Sequence, residues 1–222
     1  MSQQPTPTYS SRIAGSNAYW QRAYAASSAT ESRALYDEWA AKYDQDVSAA
    51  DYATPDIAAQ AVVGLLGDDD TSATVLDAGC GTGLVGLRLR ELRPDGLTVD
   101  GLDLSQKMLD VARRTAVYRD LKVADLSQRI EVQDDAYDVA VCVGTLTHGH
   151  VGPEVFPEFV RVVRKGGVVV ATVLDEIWES RGYKGAVERL SEEGRVEMVR
   201  ADAIGLKKGE VSGGRIVVLR KL

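Results

Sequence analysis

The sequence predicts an α/β fold in which helices cover both faces of a doubly wound, mostly parallel sheet of seven strands, with further helices before the sheet. Three observations support this prediction. Short β-branched runs alternate with helical stretches from residue 74 onwards, a pattern typical of a parallel sheet. A glycine-dense turn joins the first of these strands to the next helix. The 222 residues suffice for one domain with a continuous core.

The part of the chain before the sheet is predicted to be a tail followed by helices. Residues 1–11 are rich in Ser, Thr, Gln and Pro, which bury too little apolar surface to offset the entropy of ordering, so we expect a mobile tail. We assign residues 1–30 to this tail and a possible lid helix, and residues 31–222 to the folded domain. One apolar stripe with helical spacing indicates a first helix over residues 18–47: Tyr36, Trp39, Ala40, Tyr43 and Val47. A second helix is predicted over residues 56–66.

The predicted elements of the sheet follow one another with short connections. Strands are expected at 74–78, 97–104, 121–124, 137–143 and 168–174, with helices over 83–92, from 105 and over 154–164 between them. A final pair of strands near 195–203 and 215–220 is separated by the turn-rich sequence KKGEVSGG. This series gives the seven strands.

Charge and composition favour a small-molecule ligand over a macromolecular one. The net charge of −7 disfavours a nucleic-acid partner, because phosphate binding needs an excess of clustered Lys and Arg. Cys80 and Cys142 are the only cysteines, and their spacing suits neither a zinc knuckle nor a redox pair. No signal peptide or membrane-spanning apolar run is recognisable. We therefore expect a cytoplasmic protein with a small-molecule substrate and no membrane partner, and leave the oligomeric state open.

The most informative stretch is VLDAGCGTGLVG at residues 75–86, where a strand enters a glycine-dense turn and a helix begins. Such a turn lets a ligand approach the backbone and the N–H groups of the helix N-terminus. The stretch also contains GTGLVG, a G-x-G-x-x-G string typical of dinucleotide folds, but that register places Asp77 and Gly79 inside the strand. The register beginning at Gly79 leaves Asp77 at the strand end, facing the ligand crevice. A carboxylate there suits a cationic ligand and repels a pyrophosphate.

The segment LDAGCGTG resembles the first motif of class I S-adenosylmethionine (SAM)-dependent methyltransferases, which have a Rossmann-like sheet. The resemblance implies SAM as cofactor, with S-adenosylhomocysteine (SAH) as its product. It also implies that the loop lies against the amino-acid part and ribose of the cofactor. Asp77 would help to place the ammonium group, and the loop glycines would be Gly79, Gly81 and Gly83.

Further segments resemble later motifs of the same family. GLDLS at 101–105 matches the second motif, in which the acid, here Asp103, accepts both ribose hydroxyls. Its distance from the loop equally suits a dinucleotide enzyme, so Asp103 indicates ribose without identifying the cofactor. Asp125 matches the acid that receives the adenine amino group; the alternative is a loop or N-cap residue. Other positions that the resemblance assigns to the cofactor are Leu104 and Met108 beside adenine, Leu126, and Gly144 at the end of YDVAVCVG.

Aromatic residues before the sheet are candidates for a cover over the ligand. YDEWAAKYDQDV at 36–47 resembles the helix before the core of small-molecule methyltransferases, where Tyr36 and Tyr43 could cover the cofactor. Tyr19, Trp20 and Tyr24 are candidate substrate-binding residues, because aromatic side chains on appended helices can close a ligand crevice. The concentration of aromatic residues before the sheet predicts an apolar or aromatic substrate. The alternative for all five residues is that they pack the appended helices onto the core.

Both histidines lie in GTLTHGHVGPE at 144–154, directly after the fourth strand and therefore at the crevice rim. With the YD…YD helix, TLTHGHV resembles the Williams–Beuren-region methyltransferase-like subgroup. An oxygen or nitrogen nucleophile benefits from a base that titrates near neutrality, which makes His148 and His150 the candidate catalytic residues. We expect at most one to face the substrate and prefer His148, which is nearer the strand. Either could instead only brace the loop. No metal site is predicted, since two histidines do not complete a tetrahedral set.

These residues leave four functions open. The first is methyl transfer to oxygen, nitrogen or carbon of a small, apolar or aromatic metabolite. The second is a non-methylating cyclisation, rearrangement or dehydration that retains SAM. The third is a binding module that regulates a partner without chemistry, against which the complete cofactor motifs argue. The fourth, a nicotinamide enzyme, is disfavoured by the position of Asp77 relative to the glycines.

Overall fold

The structure is a computed structural model that describes residues 17–67, 72–149 and 151–222. The tail predicted at residues 1–11 lies outside the described residues. Seven strands are present: β1 (Ala73–Ala78), β2 (Leu97–Asp103), β3 (Tyr118–Val123), β4 (Tyr137–Leu146), β5 (Val163–Leu174), β6 (Val196–Gly205) and β7 (Gly213–Lys221). The described helices are α1 (Ala18–Ala25), α2 (Ala29–Trp39), α3 (Tyr43–Ala49), α4 (Thr54–Leu65), α5 (Leu84–Leu92), α6 (Gln106–Arg114), α7 (Val155–Val162), α8 (Asp175–Trp178) and α9 (Tyr183–Glu192).

The strands form one sheet in the order β3-β2-β1-β4-β5-β7-β6. Strands β1 to β5 pair in parallel, whereas β7 runs antiparallel to both β5 and β6. The predicted doubly wound, mostly parallel sheet of seven strands is therefore confirmed. Its order reverses between β1 and β4, and ligands of such sheets bind at the carboxyl ends of the strands beside this point.

Helices pack on both faces of the sheet and produce two hydrophobic cores. Along β1, Val75 packs with the α4 and α5 side, whereas Leu76 and Ala78 pack with the side of α1 to α3 and α7 to α9. This alternation follows from the two-residue period of a strand and explains why the central strands are apolar on both faces. None of the described helices is long and apolar enough to cross a membrane.

The single helix predicted over residues 18–47 is wrong, because this region forms three helices, α1 to α3. The first break lies at Ser27 and Ser28. The Ser28 hydroxyl accepts the N–H of Glu31, and the Glu31 carboxylate accepts the N–H of Ser27. This reciprocal cap begins a new helix. At the second break, the Trp39 Nε1–H donates to Asp46 at 2.7 Å across the turn between α2 and α3.

Helices α8 and α9 after β5 were not predicted. Helix α9 carries its buried side chains Tyr183, Ala186, Val187 and Leu190 at positions i, i+3, i+4 and i+7, so the periodic signal was present. Its N-cap is Gly182 with a φ of 79°, and no side chain caps the helix, so the usual start signal is missing. The boundaries of the predicted strands and of α4 to α7 otherwise agree within a few residues, except that β5 begins five residues earlier than expected.

Candidate functional site

A cavity of about 720 Å³ lies between the N-terminal helices and the carboxyl ends of β1 to β4. The lining residues are Ala23, Ser32, Tyr36, Tyr43, Gly79, Gly81, Asp103, Leu104, Met108, Ala124, Leu126, Val143, Gly144, Thr145, Thr147, Gly149 and Val151. Nine of the twelve positions predicted to bind the cofactor therefore share one cavity, which we call the main cavity.

The glycine loop after β1 is held against the end of β2 by its backbone. The N–H groups of Gly79 and Cys80 both donate to the Leu102 carbonyl, at 2.7 and 2.9 Å. Gly79 and Gly81 have φ values of 78° and 55°, in the left-handed region that favours glycine. A Cβ on Gly81 would meet no atom within 4 Å, so the space above this residue is open for a ligand.

Asp103 is the only acidic residue among the described residues that line the main cavity. Its Oδ2 accepts the Gly81 N–H at 2.8 Å, and its Oδ1 accepts the Ser105 N–H at 2.8 Å. Burial raises the pKa of Asp103 to about 6, and the two backbone hydrogen bonds oppose this shift. A carboxylate has about four acceptor positions, so two backbone bonds leave capacity for a pair of ligand hydroxyls.

Asp77 does not face the crevice as expected. It is fully buried, does not line the main cavity, and accepts the Tyr118 hydroxyl at 2.7 Å on Oδ2. Its Oδ1 has no hydrogen-bond partner among the described residues. Position 77 shares the face of β1 that carries Val75, so the strand period turns this carboxylate toward the α4 and α5 side. Burial raises the pKa of Asp77 to about 7.

Asp77 should make the protein less stable as the pH rises from about 4 to about 7. In this window the folded protein keeps a proton that an unfolded Asp, with a pKa near 3.9, has already lost. The upper limit of the effect is roughly 4 kcal/mol, and Asp103 adds to it with the same sign. In denaturant titrations, Asp77→Asn should reduce the loss of unfolding free energy between pH 5.5 and pH 8. The control Asp120→Asn, whose pKa is lowered by Lys122, should keep the wild-type slope there. An unchanged slope in Asp77→Asn would contradict the buried carboxylate.

Two other predicted cofactor residues also lie outside the lining of the main cavity. Gly83, with a φ of 98°, begins α5, and a Cβ there would lie 3.0 Å from the Tyr118 ring. Its role in the structure is close packing. Asp125 accepts the N–H and the hydroxyl of Ser127 at 2.9 and 2.7 Å, which is a local turn and matches the alternative of a loop residue.

Each aspartate of the YD…YD pattern ties the N-terminal helices to the rim of the main cavity. Asp37 accepts the hydroxyl of Ser105, the N-cap of α6, at 2.6 Å. Asp44 accepts the hydroxyl of Thr82 in the glycine loop at 2.5 Å. The tyrosine before each aspartate lines the main cavity. The repeated YD pair thus combines a tyrosine that lines the cavity with an aspartate that anchors its helix, and no sequence pattern indicated the anchoring role.

A second, aromatic compartment of about 440 Å³ adjoins the main cavity. Both are bordered by Tyr36, Tyr43, Gly144, Thr147 and Ala23. The other residues that line it are Trp20, Tyr24, Trp39, Tyr52, Leu174 and Leu206. Of the predicted substrate-binding residues, Trp20 and Tyr24 therefore line this compartment. Tyr19 lines neither cavity, because its ring stacks on Trp39 at a centroid distance of 5.3 Å.

The loop after β4 lines the main cavity with alternate residues, as an extended segment does. His148 falls between these positions. Its Nε2 contacts Oε1 of Glu176, and its ring stands edge-on to Tyr24 at 6.0 Å. The structure therefore places His148 behind Tyr24 and outside the lining of both cavities. His150 lies outside the described residues. Residues two apart in an extended segment share a face, so the spacing gives no reason to expect only one histidine to face the substrate.

Several residues of the site escaped the sequence analysis. Thr145 and Thr147 continue the two-residue alternation of β4, a signal that was available in the sequence. Tyr52 was not among the predicted site residues, yet its hydroxyl lies 3.0 Å from where a Cβ on Gly144 would be. Glu176 had no signal, because its contact with His148 spans 28 residues of chain.

Comparisons with known proteins agree with this geometry. A family model described as a methyltransferase domain matches residues 75–167. Human methyltransferase-like protein 27 is 35% identical over 155 residues, which are 69% of this chain, and the chain spans only 62% of the length of that relative.

Solved structures share the fold. A TehB-like SAM-dependent methyltransferase from Corynebacterium glutamicum superposes with a TM-score of 0.60 at 23% identity, covering 85% of this chain and 99% of that one. The [4+2]-cyclase SpnF superposes with a TM-score of 0.57 at 18% identity, covering 75% and 80%. At such identities the likeness concerns the fold alone. Together with the motifs and the human relative, it shows that the chain belongs to the class I SAM-dependent methyltransferase family, in the Williams–Beuren-region methyltransferase-like subgroup.

Proposed function

We propose that this chain transfers a methyl group from SAM to an oxygen, nitrogen or carbon atom of a small, apolar or aromatic molecule. The observation that carries the proposal is the junction of the two cavities. The main cavity has the glycine loop and Asp103, and the aromatic compartment opens beside it across Tyr36, Tyr43 and Gly144.

The residues of the main cavity fit the cofactor. When bound, SAM supplies an activated methyl group on a positively charged sulfur. Asp103 is oriented by two backbone N–H groups and would accept the ribose hydroxyls. Open space at Gly81 leaves room for the ligand beside the loop. The apolar walls suited to an adenine ring are Leu104, Met108, Ala124 and Leu126.

The aromatic compartment supports an uncharged acceptor. No Lys, Arg, Asp or Glu occurs among the described residues that line it. Burial raises the pKa of Tyr36, Tyr43 and Tyr52, so these phenols stay protonated at neutral pH. A carboxylate or phosphate on the acceptor would enter without a countercharge, which is unfavourable in a desolvated site. This argues for a small-molecule partner with an apolar body and against nucleic acid or a membrane surface.

His148 remains a prediction as the base that assists an oxygen or nitrogen nucleophile. A carboxylate only accepts, so the contact with Glu176 places the proton of a neutral His148 imidazole on Nε2 and the lone pair on Nδ1. Proton removal would then use Nδ1. Because His148 stands behind Tyr24, direct contact with an acceptor requires movement of the loop or of α1.

A second candidate function is a non-methylating reaction, such as a cyclisation or rearrangement, with SAM retained. The observation that favours it is that no imidazole lines either cavity and Asp103 is the only lining carboxylate among the described residues. A reaction that removes no proton from its substrate would need no basic side chain in the cavity lining. The mass of the product decides between the two reactions, because methyl transfer adds one methyl group to the substrate and an isomerisation leaves its mass unchanged.

Binding of the cofactor is the first test. Calorimetric titration of the full chain with SAH and with SAM should show saturable binding at one site per chain. Tryptophan fluorescence should change on binding, because Trp20 and Trp39 line the adjoining compartment. Saturable binding of NADH without binding of SAM or SAH would overturn the proposal.

A further inference from the structure

The segment after β5 holds the loop after β4 at three points. The Glu176 carboxylate contacts the His148 ring. Arg181 Nη1 donates to the His148 carbonyl at 2.9 Å. The buried Tyr183 hydroxyl donates to the Val151 carbonyl at 2.6 Å. Alternate residues of the held loop line the main cavity, so this segment sets the position of one wall of the site.

Glu176 itself has a fixed position. It lies on α8, whose Ile177 and Trp178 are buried. The preceding Asp175 accepts from Arg215 Nε and Nη2 at 3.1 and 2.8 Å, which ties α8 to β7. The carboxylate that reaches His148 is therefore anchored to the sheet rather than to a free surface loop.

His148 connects this anchor to the N-terminal helices. Its ring contacts Glu176 on one side and stands perpendicular to the Tyr24 ring of α1, with centroids 6.0 Å apart. Tyr24 lines the aromatic compartment. Among the described residues, the charged and titratable groups that contact His148 include Glu176, the Arg181 guanidinium at its carbonyl, and the Tyr24 phenol.

We infer that Glu176 is a positioning residue of the site, which acts through His148 to hold Tyr24 and the loop after β4 in place. In consequence, Glu176 controls the shape of the wall where the two cavities meet. Its effect on methyl transfer rests on the proposed function, whereas its effect on the loop and on α1 can be measured without any ligand.

The ring signals of His148 test the contact directly. The chain has two histidines, so NMR of the full-length protein shows two sets of imidazole signals, and His148→Asn identifies one of them. Glu176→Gln should shift the His148 signals, and Tyr24→Leu should shift them as well, because the ring current of the phenol is lost. The matched control is Glu179→Gln on the same segment, whose exposed carboxylate pairs with Lys184, and it should leave them unchanged.

Amide hydrogen exchange tests the consequence for the site. Glu176→Ala should accelerate exchange about tenfold in residues 144–149 and 18–25 while leaving the central strands unchanged, because a hydrogen bond to a charged group is lost. Glu176→Gln keeps an acceptor and should restore part of the protection. If the alanine variant does not fold, the exchange rates of Glu176→Gln are compared with those of Glu179→Gln, and faster exchange in residues 144–149 and 18–25 of Glu176→Gln alone supports the inference.

Two outcomes would overturn the inference: His148 signals and exchange rates equal to those of wild type in both Glu176 variants, or an acceleration spread evenly over the sheet. The result is separable from the proposed function. If SAH fails to protect any segment of the wild-type protein, the cofactor assignment fails, while the exchange of the ligand-free variants still decides the role of Glu176.

Discussion

Replacing Asp103 with alanine is expected to weaken SAH binding about a hundredfold. The carboxylate is oriented toward the main cavity by the N–H groups of Gly81 and Ser105, so it need not reorganise when it accepts two ribose hydroxyls. Hydrogen bonds to charged groups contribute roughly 1.5–3 kcal/mol each. Two such bonds, after subtraction of the free energy that the carboxylate loses when its hydration water is displaced, contribute about 3 kcal/mol. This corresponds to a change of about a hundredfold in Kd. Calorimetry with SAH measures this directly.

The control for this variant is Asp125→Ala, which removes a carboxylate that bonds to Ser127 and lies outside the lining of the main cavity. It should leave SAH affinity nearly unchanged. Asp103→Ala also leaves two backbone N–H groups without their acceptor, so its unfolding free energy must be measured alongside. An Asp103→Ala protein that is folded and binds SAH as wild type does would exclude Asp103 from the cofactor site.

Gly79→Ala should strongly destabilise the fold as well as the site. A Cβ at this position would lie 2.1 Å from Oγ1 of Thr145, and the φ of 78° disfavours any side chain. The left-handed backbone and the overlap together cost roughly 2–4 kcal/mol. For a domain of this size, the midpoint of thermal unfolding should fall by roughly 5–15 °C.

Gly81→Ala is the matched control, because Gly81 also has a positive φ but a Cβ there meets no atom within 4 Å. It should lose less stability than Gly79→Ala and still bind SAH less well, since the new methyl group enters the main cavity. Adding Thr145→Ala to Gly79→Ala removes the overlapping hydroxyl and should recover part of the stability. Equal unfolding midpoints for the two single glycine variants would show that the contact with Thr145 is unimportant.

The sequence was sufficient to predict the parts of the site that are local in the chain. The glycine loop, Asp103 and Leu104 lie at the ends of strands with a clear periodic signal, and Met108 lies in the first turn of the next helix, so the motif match brings them to one cavity. The parallel sheet followed in the same way from alternation of strands and helices. Its final strand order, with β7 between β5 and β6, was not predicted, since pairing between distant segments leaves no local pattern.

The errors concern side-chain direction and long-range contacts. Asp77 was predicted to face the crevice because it lies at the carboxyl end of β1, although the period of β1 turns it to the opposite side. The stripe of aromatics suggested one helix, but the reciprocal cap of Ser28 and Glu31 was overlooked. Glu176, which contacts His148, is 28 residues away on α8, whose start has no side-chain cap, and therefore could not be inferred from spacing.

The aromatic compartment is built mostly from residues 20–52, whereas the sheet that carries Asp103 and the glycine loop begins at Ala73. Few contacts outside this region shape the compartment: Gly144, Thr147, Leu174 and Leu206. Under the proposed function, acceptor choice therefore depends mostly on a stretch of chain that the strands do not need for their own pairing. A change of acceptor could therefore arise within the first helices, provided that Tyr36 and Tyr43, which also line the main cavity, are kept.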